Sequence, residues 1–213
     1  MRPSSITLVA LLSTLASSAL PAGAQRWGEP PEPEYWLSVS TGYLWLPEVR
    51  DGATLSTWHF GDAFPVGVAL EKSLRGDMSL GLAFARARVP LTYRSESLGR
   101  RSAHATVASY GPVLRIRRGA WDALGATLEL QPGIVQYGNF QDDLTGEPLP
   151  PERANRDFAF TMGYVWSVRF RADWAFEFGT NVILVFHDRT GLEGDERSLN
   201  RHSLLRLAVR LGF

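Results

Sequence analysis

From residue 35 onward, apolar and polar positions alternate along the chain with a period of two. Successive residues of a strand point to opposite faces, so this period puts every second side chain on one side of a sheet. The clearest stretch runs from Phe158 to Phe170. Phe158, Phe160, Met162, Tyr164, Trp166, Val168 and Phe170 share one face, opposite Asp157, Ala159, Thr161, Gly163, Ser167 and Arg169. A helix would scatter both sets around its circumference. Trp174, Phe176, Phe178, Val182, Leu184 and Phe186 repeat the pattern. So do Leu124 to Ile134, and Ser203 to Phe213 at the chain's end. Weaker alternation over 35–46, 64–74, 78–93 and 104–117 brings the total to eight segments, with no helix among them. In the third of these, Arg86 and Arg88 follow Met78, Leu80, Leu82 and Phe84 on the apolar side, which predicts a phase slip or bulge there.

The connections alternate in length. Short links at 75–77, 118–123 and 171–173 are separated by long polar ones at 47–63, 94–103, 138–156 and 188–201. Tight turns at one end and long loops at the other are the signature of an up-and-down transmembrane barrel. The expected fold is therefore all-β: an eight-stranded antiparallel up-and-down transmembrane β-barrel over 35–213. A soluble lipocalin-like barrel also alternates, but its apolar face points inward and its outer face carries Lys, Glu and Thr. Here the second face is mostly Gly, Ala, Ser and Thr, which suits a narrow interior. The apolar face ends in aromatic residues: Phe170, Trp174 and Phe213 toward the short turns, and Tyr43, Trp45, Phe158 and Phe186 toward the long loops. These positions match the two interfacial girdles of a membrane barrel.

The segments before residue 35 read differently. Met1-Arg2, an apolar run over 6–20 and Ala22-Gly23-Ala24 have the three parts of a secretory signal peptide, expected to span 1–24. Residues 25–34 form a Pro- and Glu-rich leader, expected to be flexible. The formal net charge of zero argues against a nucleic-acid partner, and the absence of cysteine excludes disulfides and thiolate metal sites.

By these marks the chain resembles the small eight-stranded outer-membrane barrels of the OmpA-like and OmpX-like kind. The resemblance spans 35–213, and its most specific feature is the terminal strand, with Leu207, Val209, Leu211 and Phe213 alternating on one face. It implies that this strand is the signal read by the barrel assembly machinery. It also implies export through the periplasm to the bacterial outer membrane, with outer-membrane lipid and lipopolysaccharide as surroundings.

With the polar face inward, Glu71, Arg115, Glu129, Arg169, Glu177 and Arg210 enter the lumen. A barrel of eight strands is just wide enough for side chains to fill, so a charge-paired plug is expected in place of an open pore. Arg86 and Arg88, near the outer interface, are expected to meet lipopolysaccharide phosphates. Of the four histidines, His104 is near Ser102, and His187 and His202 adjoin Asp188 and Ser203. Adjacent strand residues face opposite ways, and no lipid A deacylase or palmitoyltransferase motif is present. The acidic stretches 141–143 and 191–197 lack metal-ligand spacing and read as solvated loops. The expected function is thus that of a monomeric, non-enzymatic barrel without cofactor or metal, serving envelope integrity or surface interaction. A narrow pore for small or hydrophobic solutes and a lipid-modifying enzyme are the alternatives.

Overall fold

The computed structural model describes residues 33–213 apart from 53, 75–76, 119–123, 152–153, 172 and 188–197. The expected signal peptide, and the expected leader before Pro33, lie outside the described residues. Ten strands follow one another: β1 (Tyr35–Trp45), β2 (Val49–Asp51), β3 (Ser56–Phe60), β4 (Val66–Ser73), β5 (Met78–Ser95), β6 (Gly99–Arg118), β7 (Leu124–Asp142), β8 (Asn155–Arg171), β9 (Trp174–His187) and β10 (Ser198–Gly212). Eight of them, all but β2 and β3, close a ring. β4 pairs with β1, β1 with β10, and the order then runs through β9, β8, β7, β6 and β5 back to β4, every pair antiparallel. Closure matters because it leaves no unpaired edge for a hydrocarbon surrounding to penalise.

The outer face of the ring's lower part is continuously apolar. Val68, Leu70, Leu80, Leu82, Met162, Tyr164, Leu207 and Val209 are all exposed. Phe170, Trp174 and Phe213 are exposed at the short-turn end, and Tyr43, Trp45, Phe158 and Phe186 at the other. Leu82, at 69% exposure, would lose roughly 2 kcal/mol in water relative to burial, and it is one of many. A surface of this kind is at home only in lipid.

Above that belt the polarity of the wall inverts. Along β5 the even-numbered residues point outward throughout: Met78, Leu80, Leu82 and Phe84, then Arg86, Arg88, Pro90 and Arg94. The odd-numbered residues point inward: Ser79, Gly81, Ala83 and Ala85, then Ala87, Val89, Leu91 and Tyr93. The β5–β6 register is unbroken from Met78↔Ile116 to Ser95↔Gly99. The predicted slip at Arg86 is therefore absent. What changes at Arg86 is the surroundings: the strand leaves lipid for water while its inner face passes from a polar lumen to an apolar core. A register shift does occur, but across β6 and β7, between His104 and Thr106.

That upper core collects Leu44, Leu46, Val49, Trp58, Phe60, Val89, Tyr93, Tyr137, Phe140 and Val185. Its centre is the β2–β3 hairpin, an element absent from the sequence-based expectation for 47–63. β3 extends the sheet by pairing with the top of β5, from Ser56↔Ser95 to Phe60↔Leu91. Trp58 thereby reaches across the mouth to Phe140 (ring centroids 4.7 Å apart), Tyr137 (5.8 Å) and His187 (5.8 Å). The long link expected at 94–103 is instead a tight turn, Glu96–Leu98, between two long strands. Gly99 closes it at φ +67°, a left-handed conformation that favours glycine, and Ser95 Oγ accepts from Leu98 N.

Candidate functional site

Small residues line the lower lumen and leave room for long charged side chains. At Gly163, a Cβ would stand 2.8 Å from the Asn181 carboxamide, so only glycine clears the space that Asn181 occupies. Into this space project Glu71 from β4, Arg115 from β6, Glu129 from β7, Glu177 from β9, and Arg206 and Arg210 from β10.

They form one lattice. Both Glu177 oxygens accept from Arg115 Nη1 at 3.0 Å, and Glu177 also meets Arg210 Nη1 at 3.3 Å and Arg206 Nη2 at 3.4 Å. Glu129 Oε2 lies 3.0 Å from both Arg115 Nη2 and Arg206 Nη1. Glu71 accepts from Arg210 Nη2 at 2.7 Å and from Ser79 Oγ at 2.7 Å, and its other oxygen is 3.4 Å from Arg115 Nε. Asn181 Nδ2 donates to Glu129 Oε1 at 2.8 Å. Three carboxylates and three guanidiniums balance, and all three glutamates are buried. Arg206 was not among the residues singled out from the sequence. Its signal was its parity, since it shares a face with Ala208 and Arg210.

Arg169, expected in the same set, stands at the short-turn end. Its Nε donates to the Arg171 carbonyl at 3.2 Å, and its guanidinium lies 5.5 Å from the Trp36 ring centroid. Arg210 lies over the same indole at 4.7 Å, so the buried Trp36 floors the lattice.

A second polar group sits in the upper core, where β2 meets the wall. His187 is fully buried, with Nδ1 2.7 Å from Asp157 Oδ2 and Nε2 3.5 Å from Asp51 Oδ1. Asn155 Nδ2 donates to Asp51 at 3.1 Å, and Thr54 N to its other oxygen at 2.9 Å. Burial pushes the Asp51 carboxyl up, but the close approach of His187 and the hydrogen bonds from Thr54 outweigh it and hold it below the ordinary aspartate value. Beside this group, Tyr137 Oη is 3.1 Å from His202 Nε2.

The third cluster faces outward, above the apolar belt. His104 Nδ1 is 2.7 Å from Asp143 Oδ1, and Arg88 Nη2 is 2.9 Å from His104 Nε2. Ser102 Oγ donates to Asp143 Oδ2 at 2.9 Å, so serine and histidine share a carboxylate and do not form a nucleophile–base pair. The hydrogen bonds from His104 first, then Ser102, keep the Asp143 carboxyl below its usual range. His202 points into the barrel and Ser203 away from it; Asp188 lies outside the described residues. Asp142, in the acidic stretch 141–143, is buried and caps a turn by accepting from Leu144 N and Thr145 N.

No protein-family model and no curated protein matches the chain, but solved structures do. Neisserial surface protein A superposes with a TM-score of 0.58 at 11% identity, covering 84% of this chain and 97% of that one. The fold is that of a small outer-membrane β-barrel. OprG from Pseudomonas aeruginosa (TM-score 0.49, 8% identity, 85% of this chain and 95% of that one) and Ail of Yersinia pestis (0.48, 11%, 86% and 100%) are also similar. At such identities the likeness extends to the fold alone, and the reading of the lattice and of the upper core rests on the geometry above.

Proposed function

We propose that the protein is a monomeric, non-enzymatic barrel of the bacterial outer membrane whose lumen is closed, and that it serves envelope integrity or surface interaction through the structure raised above the membrane. The observation that carries this reading is the lattice of Glu71, Glu129, Glu177, Arg115, Arg206 and Arg210, which links five strands across the lumen. Trp36 below it and Trp58 above it add two further layers. The resulting barrel is rigid, and its interaction surface is what stands above lipid.

Two contacts with the envelope belong to the same reading. Arg86 and Arg88 are exposed on the first outward rungs above Phe84, and their guanidiniums suit the phosphates of lipopolysaccharide. Leu207 and Val209 are exposed along β10 and Phe213 just beyond it, with Leu211 on the same face, as an assembly signal for the barrel-insertion machinery would be.

Single-channel recording of the mature protein in planar bilayers tests the closed lumen, with a heat-shifted gel band establishing that it has folded. The expected trace is silent. Reproducible conductance steps would replace this reading with a narrow pore, and a changed lipid A mass profile on overexpression would replace it with a lipid-modifying enzyme.

A further inference from the structure

Two prolines meet across one seam of the wall. β6 and β7 pair down to Tyr110↔Ile134, and the pairing resumes in the same register at Leu114↔Leu130. Pro112 therefore stands opposite Pro132, both exposed, on the outward rung just below Tyr110 and Ile134 and so within the apolar belt. The direction of their backbone groups follows from β5. Pro90 O accepts from Gly61 N, which follows β3, so even-numbered residues of β5 turn their backbone polar groups away from β6. Partners in an antiparallel ladder point both toward or both away from each other. Leu82 pairs with Pro112, so Pro112 points toward β7 and Pro132 points back at it. That rung would carry two N–H···O bonds, and proline supplies neither donor.

Little else fills the gap. Gly111 and Gly133, beside the prolines on the lumen side, bring no side chain to it. The Pro132 carbonyl lies against Gly111, where a Cβ would clash with it, and a Cα–H···O contact is weaker than the bond it replaces. Lipid offers no water to make up the difference. From the Tyr110 rung to the Leu114 rung, about 13 Å of strand, the seam has no N–H···O bond. Higher up, the same seam shifts register between His104 and Thr106. β1 and β10, by contrast, pair without a break from Trp36↔Gly212 to Trp45↔Ser203. We infer that the barrel wall opens first along β6–β7, at the Pro112–Pro132 rung, and not between β1 and β10 where the two ends of the barrel meet. The Arg115–Glu129 ion pair crosses the same seam directly below and limits how far the parting runs. The inference goes beyond the closed-lumen reading and does not rest on it.

Backbone amide exchange in the folded protein tests it. Tyr110, Leu114, Leu130 and Ile134 donate across β6–β7 on the rungs either side of the prolines. Val39, Thr41, Leu207 and Val209 donate across β1–β10, in phase with the Tyr35 N to Phe213 O bond. The first set should exchange at least about tenfold faster than the second. Pro112→Val combined with Pro132→Val restores both donors and should slow the first set to the rate of the second. Disulfide locks give a readout that does not depend on that variant. The chain has no cysteine, so Tyr110→Cys with Ile134→Cys, or Val39→Cys with Val209→Cys, makes a single disulfide across one seam. Relative to the reduced form of the same variant, oxidation should slow urea unfolding more at β6–β7 than at β1–β10. Equal exchange at the two seams, exchange unmoved by the valines, or a larger effect of the β1–β10 lock would each overturn the inference.

Discussion

Glu177 accepts from three arginines, which share only Glu71 and Glu129 as further carboxylate partners in the lattice. Glu177→Ala should therefore leave Arg115, Arg206 and Arg210 facing one another with one carboxylate fewer. Breaking a buried ion pair from one side costs about 3–5 kcal/mol, and a loss of that size should appear in the urea midpoint and in the heat-shifted gel band. Asp51 predicts a pH dependence. Its folded value lies below the ordinary 3.8, so its contribution is fully present above that value and fades as pH falls through the depressed one. The hairpin should become cleavable after Arg50 by an acid-tolerant arginine-cutting protease as pH drops below about 4, with global unfolding followed separately. Asp51→Asn should flatten that dependence; an unchanged acid profile in Asp51→Asn would show that other carboxylates govern it.

The β2–β3 hairpin is fixed by one large side chain and by one polar contact to the wall. Trp58 is fully buried among Phe60, Tyr137, Phe140 and His187. Trp58→Ala should cost about 3–5 kcal/mol, read by denaturant unfolding, and should raise proteolysis within 49–60 before the barrel itself opens. Sequence alone shows the eight wall strands because lipid demands strict alternation over some ten residues. It does not show the hairpin, whose strands are three and five residues long and whose apolar face is buried only by residues far away in the chain. The same distance hides the Asp51–His187–Asp157 group, and Asn155 with it, since β2, β8 and β9 meet only after the barrel closes. Arg206 was legible by parity. The true meaning of Arg86 was not, because an arginine on an apolar face signals either a shifted strand or a strand that has left the membrane, and only the unbroken β5–β6 register separates the two.

At the scale of the molecule, the wall strands carry two patterns in sequence along their length. In lipid they are apolar outside and polar within; above it β5, β6 and β7 are polar outside and apolar within, while β8, β9 and β10 turn Asp157, His187, Asn200 and His202 inward. Silence in planar bilayers is the behaviour expected of the closed lumen proposed above, and removing one of its layers should not by itself produce a pore. Glu177→Ala should therefore lower stability without producing conductance, because the Trp58 layer remains; steps from that variant alone would assign the seal to the lattice. The inversion also acts as a waterline. On β5, β7 and β8 the outward apolar run ends at Phe84, Ile134 and Phe158, and Arg86, Gln136 and Arg156 stand on the next outward rung. One rung deeper would sink arginines in oil, and one rung higher would strand phenylalanines in water. The barrel cannot bob: its draught is set by its own sequence, and a thinner or thicker bilayer must bend to meet it.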